Sequence, residues 1–200
     1  MTSFEIALSA AQEKGYAESD PTLDIEGIDA AHKLAILSSL AYNVYLPFER
    51  IHVEGITQIT DREIQYAQEF GYVIKLLAIT KKTASGIEAR VHPTLIPEKS
   101  ILANVSDAFN AVCVVGDAVG PTLFYGRGAG GMPTASAVVA DIVEAGRSAS
   151  TGVVNSLPKG WIANELVQGV VSSIAEVETR YYLHLIVRDR PGVLAQIGKV

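Results

Sequence analysis

Residues 72–97 read YVIKLLAITKKTASGIEARVHPTLIP, and this stretch decides the fold. Two apolar or alternating runs, 72–82 and 87–97, are separated by Thr83-Ala84-Ser85-Gly86. Runs of this length and composition, joined by small turn residues that include a glycine, are typical of a β-hairpin. The sequence therefore predicts two antiparallel strands here.

The segments on either side of this hairpin alternate between helical and extended patterns. Helical spacing, start signals and stop signals occur in four of them: 3–15, 27–40, 60–71 and 133–146. Further strands are predicted in two regions: 51–53 and 108–128, the second of which turns near Gly116-Asp117. This order predicts an α+β (mixed α/β) fold in which helices cover one face of a mixed β-sheet.

The composition changes along the chain and predicts three regions. Residues 1–150 form a main domain, and residues 151–178, with a stretch rich in Ser, Gly and Pro, form a junction. In 179–200, a strand at Tyr181–Val187, a turn at Asp189–Gly192 and the opening of a helix predict the truncated βα start of a second domain. Because a helix begins almost at the first residue, we also expect the chain to begin within a longer protein.

Charge and composition exclude several classes of function. The formal net charge of −6 leaves no basic patch for nucleic acid. No apolar run approaches the roughly 18 residues that a membrane-spanning helix needs, and the start lacks the basic region of a secretion signal. The single cysteine, Cys113, lies in an apolar run and is predicted to be buried, which excludes a disulfide within the chain. A reducing cytoplasm fits these features.

The stretch GYAESDPTLDIEGIDAAHK at 15–33 crowds acidic side chains into a short space. Five carboxylates precede its only lysine: Glu18, Asp20, Asp24, Glu26 and Asp29. Neighbouring carboxylates raise one another's pKa where they are partly buried, unless a cation or a ligand ammonium lies among them. The stretch is therefore a candidate site, in which Glu18 and Asp20 could bind a substrate amine.

The predicted helix at 27–40 brings Asp29 and Lys33 onto one face, four residues apart. A carboxylate in this position can orient the lysine ammonium for proton transfer. Asp24 or Glu26 is expected to cap the free N–H groups at the start of this helix. The alternative is a solvated acidic loop followed by an ordinary surface ion pair, and the spacing alone leaves both interpretations open.

Residues 126–131, GRGAGG, match the G-x-G-x-x-G pattern between a predicted strand and a predicted helix. A complete dinucleotide-binding domain is not predicted, because no second strand ending in an acidic residue follows about 20 positions later. The loop can still offer backbone N–H groups to phosphate or carboxylate oxygens, or it can be a tight turn that only permits close packing. The four histidines lack metal-ligand spacing and are predicted to be structural, so no metal site is expected.

Two motifs give the chain a resemblance to the homoserine dehydrogenase family over residues 3–150. The first is the segment 15–21, GYAESDP, followed by Asp24, Gly27, Asp29 and Lys33, and the second is the segment 125–134, YGRGAGGMPT. The tail from Tyr181, with DRPGVL at 189–194, resembles the beginning of an ACT domain, an amino-acid-sensing module.

The resemblance implies NAD- or NADP-dependent interconversion of L-homoserine and L-aspartate 4-semialdehyde, in the biosynthesis of threonine, methionine and isoleucine. It implies that Lys33 exchanges a proton with the substrate oxygen and that Asp29 holds substrate and lysine in place. Glu18 would bind the substrate amino group, with Asp20 and Asp24 beside it in the substrate site. The backbone of Gly128 and Gly130 would approach the cofactor.

The resemblance also implies a homodimer, for which strands Tyr72–Thr80 and Ala111–Val115 could supply the contact. The family's nucleotide-binding domain is missing from these 200 residues, so we expect the isolated chain to be a stable but catalytically silent fragment. The alternative is an amino-acid-binding or dimerisation module without catalysis.

Overall fold

The computed structural model of the chain describes residues 4–15, 17–128, 130–152, 167–188 and 190–199. The helices in these ranges are α1 (Phe4–Glu13), α2 (Thr22–Ile25), α3 (Ile28–Tyr42), α4 (Asp61–Glu69), α5 (Gly131–Thr151) and α6 (Val193–Ile197). The strands are β1 (His52–Val53), β2 (Tyr72–Lys82), β3 (Ile87–Pro97), β4 (Phe109–Gly116) and β5 (Gly120–Arg127). Within the described ranges, no helix combines the length and apolarity needed to cross a lipid bilayer.

Strands β2 and β3 form the predicted antiparallel hairpin along their full length, with Tyr72 opposite Pro97. The Thr83 N–H closes the turn by donating to the Gly86 carbonyl at 2.8 Å. Gly86 has a φ of +150°, and a Cβ at this position would lie 2.7 Å from the carbonyl oxygen of Val170. A glycine is therefore required at the end of this turn.

Strand β1 pairs in parallel with β3, so the three-stranded sheet, in the order β1-β3-β2, is mixed. Helix α3 buries Ala31 and Leu34 against a sheet face that carries Ala89 and Val91. Burial of this apolar surface, at roughly 25 cal/mol per Å², is what fixes the helix on the sheet. Helix α4 packs on β2, and its predicted capping box is present. The α+β prediction is confirmed.

Strands β4 and β5 form a separate two-stranded antiparallel sheet, with Phe109 opposite Arg127. Neither strand contains a buried residue. Cys113 is exposed, so the prediction that it is buried is wrong. The reason is that β4 is covered by no second layer in the described ranges, which leaves both faces of the hairpin accessible.

The end of the chain differs from the prediction. No strand forms at Tyr181–Val187, because none of the described segments offers it a hydrogen-bonded neighbour. The five-residue helix α6 does form after the predicted turn. Five predicted features lie wholly or partly outside the described residues: Ser3, Tyr16, the glycine-rich loop at Ala129, Asp189 and the stretch 153–166 of the junction.

Candidate active site

Asp29 and Lys33 form an ion pair on the exposed face of α3. Lys33 Nζ donates to Asp29 Oδ2 at 2.5 Å, and the two side chains are 66% and 44% exposed, respectively. Acid before base at this spacing is the favourable order on a helix. Asp29 therefore fixes where the ammonium group is presented to solvent.

The packing of α3 gives this pair a rigid base. The helix begins after Gly27, whose φ is +76° and whose Cβ, if present, would lie 3.1 Å from Val91 Cγ1. The start of α3 therefore lies directly against β3. The prediction that Asp24 or Glu26 caps α3 is wrong, because no side chain caps this helix. Asp24 lies within α2 and Glu26 is the C-cap residue of α2, so neither is free to reach forward.

Asp20 lies two residues before the first residue of α2. Its Oδ1 accepts hydrogen bonds from Thr22 Oγ1 at 2.6 Å and from the Thr22 N–H at 3.2 Å. These two hydrogen bonds hold the pKa of Asp20 below its usual range. Asp20 is therefore a carboxylate at neutral pH, and one of its two oxygens is already engaged by the chain.

The acidic loop before α3 is held from two sides. On one side, Gln12 in α1 donates from Nε2 to the Glu18 carbonyl at 2.9 Å. On the other, Gly55 lies so close that a Cβ would meet the Ile25 carbonyl and come within 2.7 Å of Glu26 Cα. Only a glycine permits this approach of two backbones.

The structure joins some of the predicted site residues and leaves others apart. Asp29 and Lys33 are bonded to each other. Glu18, Asp20 and Asp24 are exposed, and none of the described hydrogen bonds or ion pairs links them to that pair. The arrangement is an acidic, solvent-facing surface beside one ammonium group, and it suits a small ligand that carries both an ammonium and a polar oxygen.

The glycine-rich loop lies between a strand and a helix, as predicted. The Gly128 N–H donates to the Ala108 carbonyl at 3.1 Å, and a Cβ on Gly128 would lie 2.8 Å from Asn110 Cγ. Gly130 has a φ of +120° and precedes α5 without a side-chain cap. The φ of Gly130 favours a glycine, whereas a Cβ on Gly128 would displace only the Asn110 side chain. Ala129 between them lies outside the described residues.

An aromatic stack beside this loop was not predicted. The rings of Phe109 and Tyr125 are parallel, with centroids 4.8 Å apart, and Arg127 Cζ lies 5.0 Å from the centre of the Phe109 ring. Such a cation–π contact fixes the direction of the guanidinium. The signal was available in the sequence, because antiparallel pairing about a turn near Gly116 brings Phe109 close to Arg127.

The four histidines have partners within the protein. His32 packs on the Phe48 ring at 4.4 Å, and His52 Nε2 lies 2.7 Å from Glu54 Oε1. His92 accepts a hydrogen bond from Arg90, and His184 contacts Glu63. In the described part of the chain, no three His, Cys, Asp or Glu side chains converge as a metal site would require.

Comparison with known proteins gives consistent matches. Residues 1–143 match the family model described as homoserine dehydrogenase. The homoserine dehydrogenase of Pseudomonas aeruginosa is 48% identical over 198 residues, which cover 98% of this chain and 46% of that protein. The chain thus spans about half the length of the curated relatives that it matches.

Solved structures give the same result. A homoserine dehydrogenase from Thiobacillus denitrificans is 49% identical with a TM-score of 0.85, over 98% of this chain and 46% of that one. A hyperthermophilic archaeal homoserine dehydrogenase mutant in complex with NADPH is 27% identical with a TM-score of 0.57, over 74% of this chain and 41% of that one. The family model covers more than half of the residues, and the chain therefore belongs to the homoserine dehydrogenase family.

Proposed function

We propose that this chain supplies the substrate-binding and proton-transfer part of an NAD(P)-dependent homoserine dehydrogenase, which interconverts L-homoserine and L-aspartate 4-semialdehyde. The observation that carries the proposal is the Asp29–Lys33 pair at 2.5 Å, fixed on α3 beside the acidic loop. Membership of the family supports it. Such a biosynthetic enzyme is expected in the cytoplasm.

Proton transfer is assigned to Lys33. In the reducing direction, its ammonium gives a proton to the aldehyde oxygen of the semialdehyde, and in the oxidising direction its amine takes the proton back from the homoserine hydroxyl. Asp29 accepts a hydrogen bond from Lys33 Nζ, which holds the ammonium in position. Asp29 also contributes to binding the substrate.

The acidic loop is assigned to the substrate amino group. Glu18 and Asp20 on this loop, with Asp24 in α2, provide carboxylates for the ammonium of a zwitterionic amino acid. The segment is held to α1 through Gln12 and to the sheet side through Gly55, so the backbone that carries these carboxylates is pre-positioned. Pre-positioning lowers the conformational cost of binding a small ligand.

NAD or NADP, when bound, supplies the hydride acceptor or donor for this reaction. The backbone at Gly128 and Gly130 fits such a group, because the φ of +120° at Gly130 favours a residue without a side chain and α5 begins directly behind it. The start of a helix suits the polar oxygens of a nucleotide cofactor. The archaeal relative in complex with NADPH supports this class of cofactor without deciding between NAD and NADP for this chain.

A homodimer is also part of the proposal. Of the two strands predicted to supply the contact, β4 has the more exposed apolar residues, with Val112, Val114 and Val115 at 39%, 47% and 74%. Tyr72–Thr80 in β2 is half-buried along most of its length. The second candidate function, a dimerisation or amino-acid-binding module without catalysis, is favoured by the same exposed surface.

Activity in a complete enzyme tests the catalytic assignment. The 200 residues replace the matching segment of the Pseudomonas aeruginosa homoserine dehydrogenase, and homoserine-dependent reduction of NAD(P) is measured. We expect Lys33→Ala to lower kcat by roughly 10²–10⁴-fold, the usual contribution of a positioned acid–base group. Lys81→Ala, at the exposed end of β2, is the matched control and should leave kcat unchanged.

Binding by the isolated chain tests the alternative. Homoserine is titrated into the 200-residue protein and into Glu18→Gln and Lys33→Ala. Weaker homoserine binding by both variants supports the enzyme site. Threonine binding whose affinity is the same in both variants as in the unaltered chain supports a separate amino-acid-binding module. Homoserine-dependent reduction of NAD(P) by the isolated chain would contradict the expectation that it is silent alone.

A further inference from the structure

A cavity of about 820 Å³ lies between the second half of β3, helix α4 and the segment 174–182. This volume is in the range of small-molecule sites, roughly 300–1,000 Å³. Its lining includes none of the residues proposed above to bind homoserine. The cavity exists because β1 pairs only with Arg90 and Val91, which leaves the edge of β3 beyond Val91 without a neighbouring strand in the described ranges.

Arg90 is the buried one of the two arginines that line this cavity, the other being the exposed Arg180. Arg90 lines the cavity although it is only 8% exposed overall. Its Nη1 donates to Glu88 Oε2 at 2.7 Å and its Nε donates to His92 Nε2 at 3.2 Å. These bonds use two of the five N–H donors of a guanidinium, and the other three have no partner among the described hydrogen bonds.

His92 is a second contact of the Arg90 side chain. Its Nε2 accepts from Arg90 Nε, and its Nδ1 lies 2.9 Å from the Pro93 carbonyl oxygen. His92 therefore helps to hold the Arg90 guanidinium in place.

The rest of the lining defines the class of ligand. Ile59, Phe70, Ile174 and Val177 give the walls an apolar character. Two carboxylates, of Glu54 and Glu63, also line the cavity and disfavour a phosphate or another polyanion. A guanidinium fork facing apolar walls suits one carboxylate on a short aliphatic chain.

One wall of the cavity is a strap, residues 174–184, which buries Val177 and has one described hydrogen bond to the rest of the protein. Before the strap, Ser172 donates its N–H to the Ile87 carbonyl at 2.9 Å. Within it, the described hydrogen bond to the rest of the protein joins His184 Nδ1 to Glu63 Oε1 at 2.8 Å. The His184 ring also meets the Tyr66 ring edge-on, with centroids 5.6 Å apart. The Glu63–His184 bond therefore holds this wall against α4.

We propose that this cavity binds a short aliphatic monocarboxylate, whose carboxylate lies on the Arg90 guanidinium and whose chain packs between α4 and the strap, with the Glu63–His184 bond holding the strap closed. Nothing in this proposal depends on the Lys33 site, so the two proposals can fail separately.

The test compares two probes of the same shape on the unaltered chain. 3-Methylbutanoate and its neutral analogue 3-methylbutan-1-ol are titrated while the backbone amide resonances of 92–95 and 174–182 are followed by NMR. We expect the carboxylate to shift these resonances, Pro93 having no amide proton, and to bind at least tenfold more tightly than the alcohol. No shift with the carboxylate, or equal affinity of the two probes, overturns the proposal.

Variants then test the two named contacts. Arg90→Gln alone would leave Glu88 buried without its partner, so the double variant Glu88→Gln/Arg90→Gln removes both charges. We expect it to bind 3-methylbutanoate at least tenfold more weakly, whereas Arg62→Gln, exposed at the start of α4, should bind it normally. Unchanged affinity in the double variant overturns the role of Arg90. If that variant fails to fold, the comparison of 3-methylbutanoate with 3-methylbutan-1-ol on the unaltered chain still tests whether the cavity binds a carboxylate.

The strap is tested by His184→Ala. We expect faster amide hydrogen exchange over 177–184 and weaker binding of 3-methylbutanoate by several-fold. Unchanged exchange in this segment would show that the Glu63–His184 bond does not hold the strap.

Discussion

The Asp29–Lys33 pair contributes little to folding. Both side chains are largely exposed, and an i, i+4 ion pair on a helix surface stabilises by only about 0.2–0.5 kcal/mol. The role of the pair is to position the Lys33 ammonium. Ala31 and Leu34 are buried on the opposite side of the helix and so fix the direction in which Lys33 points. Asp29→Asn should therefore change catalysis in the complete enzyme far more than it changes stability.

The two oxygens of the Glu63 carboxylate make two different contacts, one with the strap and one at the start of α4. Its Oε1 contacts His184, and its Oε2 completes the capping box with Thr60 at the start of α4. The hydrogen bond from His184 holds the pKa of Glu63 below its usual range. Burial and the nearby Glu63 and Tyr66 raise the pKa of Tyr182 in the same cluster.

The pH dependence of this contact follows from the lowered pKa of Glu63. A carboxyl group with a depressed folded-state pKa stabilises the folded contact above its unfolded pKa, about 4.3, and that contribution is lost as the pH falls through the folded value. The strap should therefore remain bound to α4 at neutral pH and be released in acid. In His184→Ala, NMR titration should show the Glu63 pKa moving up toward its usual range.

The matched control for that titration is His32→Ala, because His32 packs on Phe48 and not on α4. This substitution should leave the Glu63 pKa where it is in the unaltered protein. A Glu63 pKa that stays low in His184→Ala would show that the capping box, and not the imidazole, depresses it.

At the level of elements, the sequence predicted those elements whose stabilising contacts lie close together along the chain. The β2–β3 hairpin has its turn residues, its pairing partner and its required Gly86 within 26 consecutive residues, so the sequence contained all of its determinants. The segment Tyr181–Val187 has the composition of a strand, but a strand also needs a neighbour, which composition does not supply. The Glu63–His184 bond spans 121 positions and had no signal in the sequence.

Two glycines should respond to alanine with opposite signs. At Gly55, a Cβ would meet the backbone of Ile25 and Glu26, which cannot move aside easily, so Gly55→Ala should destabilise the fold by about 1–3 kcal/mol. At Gly146, inside α5, a Cβ meets nothing within 4 Å, and Gly146→Ala should stabilise the helix by roughly 0.5–1 kcal/mol.

Urea unfolding of both variants measures these differences. Gly146→Ala is the control for the general effect of adding a methyl group, since it changes the same atom in an open position. Equal unfolding midpoints for Gly55→Ala and the unaltered chain would contradict the close backbone approach that holds the acidic loop.

At the scale of the whole molecule, two elements lack, among the residues that the structure describes, the packing that ordinarily stabilises them. Helix α5 is 21 residues long, is rich in small and apolar residues, and buries none of them. An isolated helix depends on the burial of an apolar face, and an isolated two-stranded sheet such as β4–β5 is marginal in water. The apolar surface of these elements therefore indicates a covering partner, which the proposed homodimer would supply.

Charged substitutions on β4 test that partner. Val112 and Val114 lie two residues apart and so face the same side of the strand, where they are 39% and 47% exposed. Val114→Asp would place a charge in a dehydrated contact between subunits and should shift the chain from dimer to monomer in sedimentation equilibrium, raising the dimer dissociation constant by at least tenfold. Ile101→Asp, which is 69% exposed in the loop before β4, should leave the dimer intact. A dimer that survives Val114→Asp, or a chain that is monomeric without any substitution, would show that β4 is not the contact and that these apolar residues face something other than a second copy.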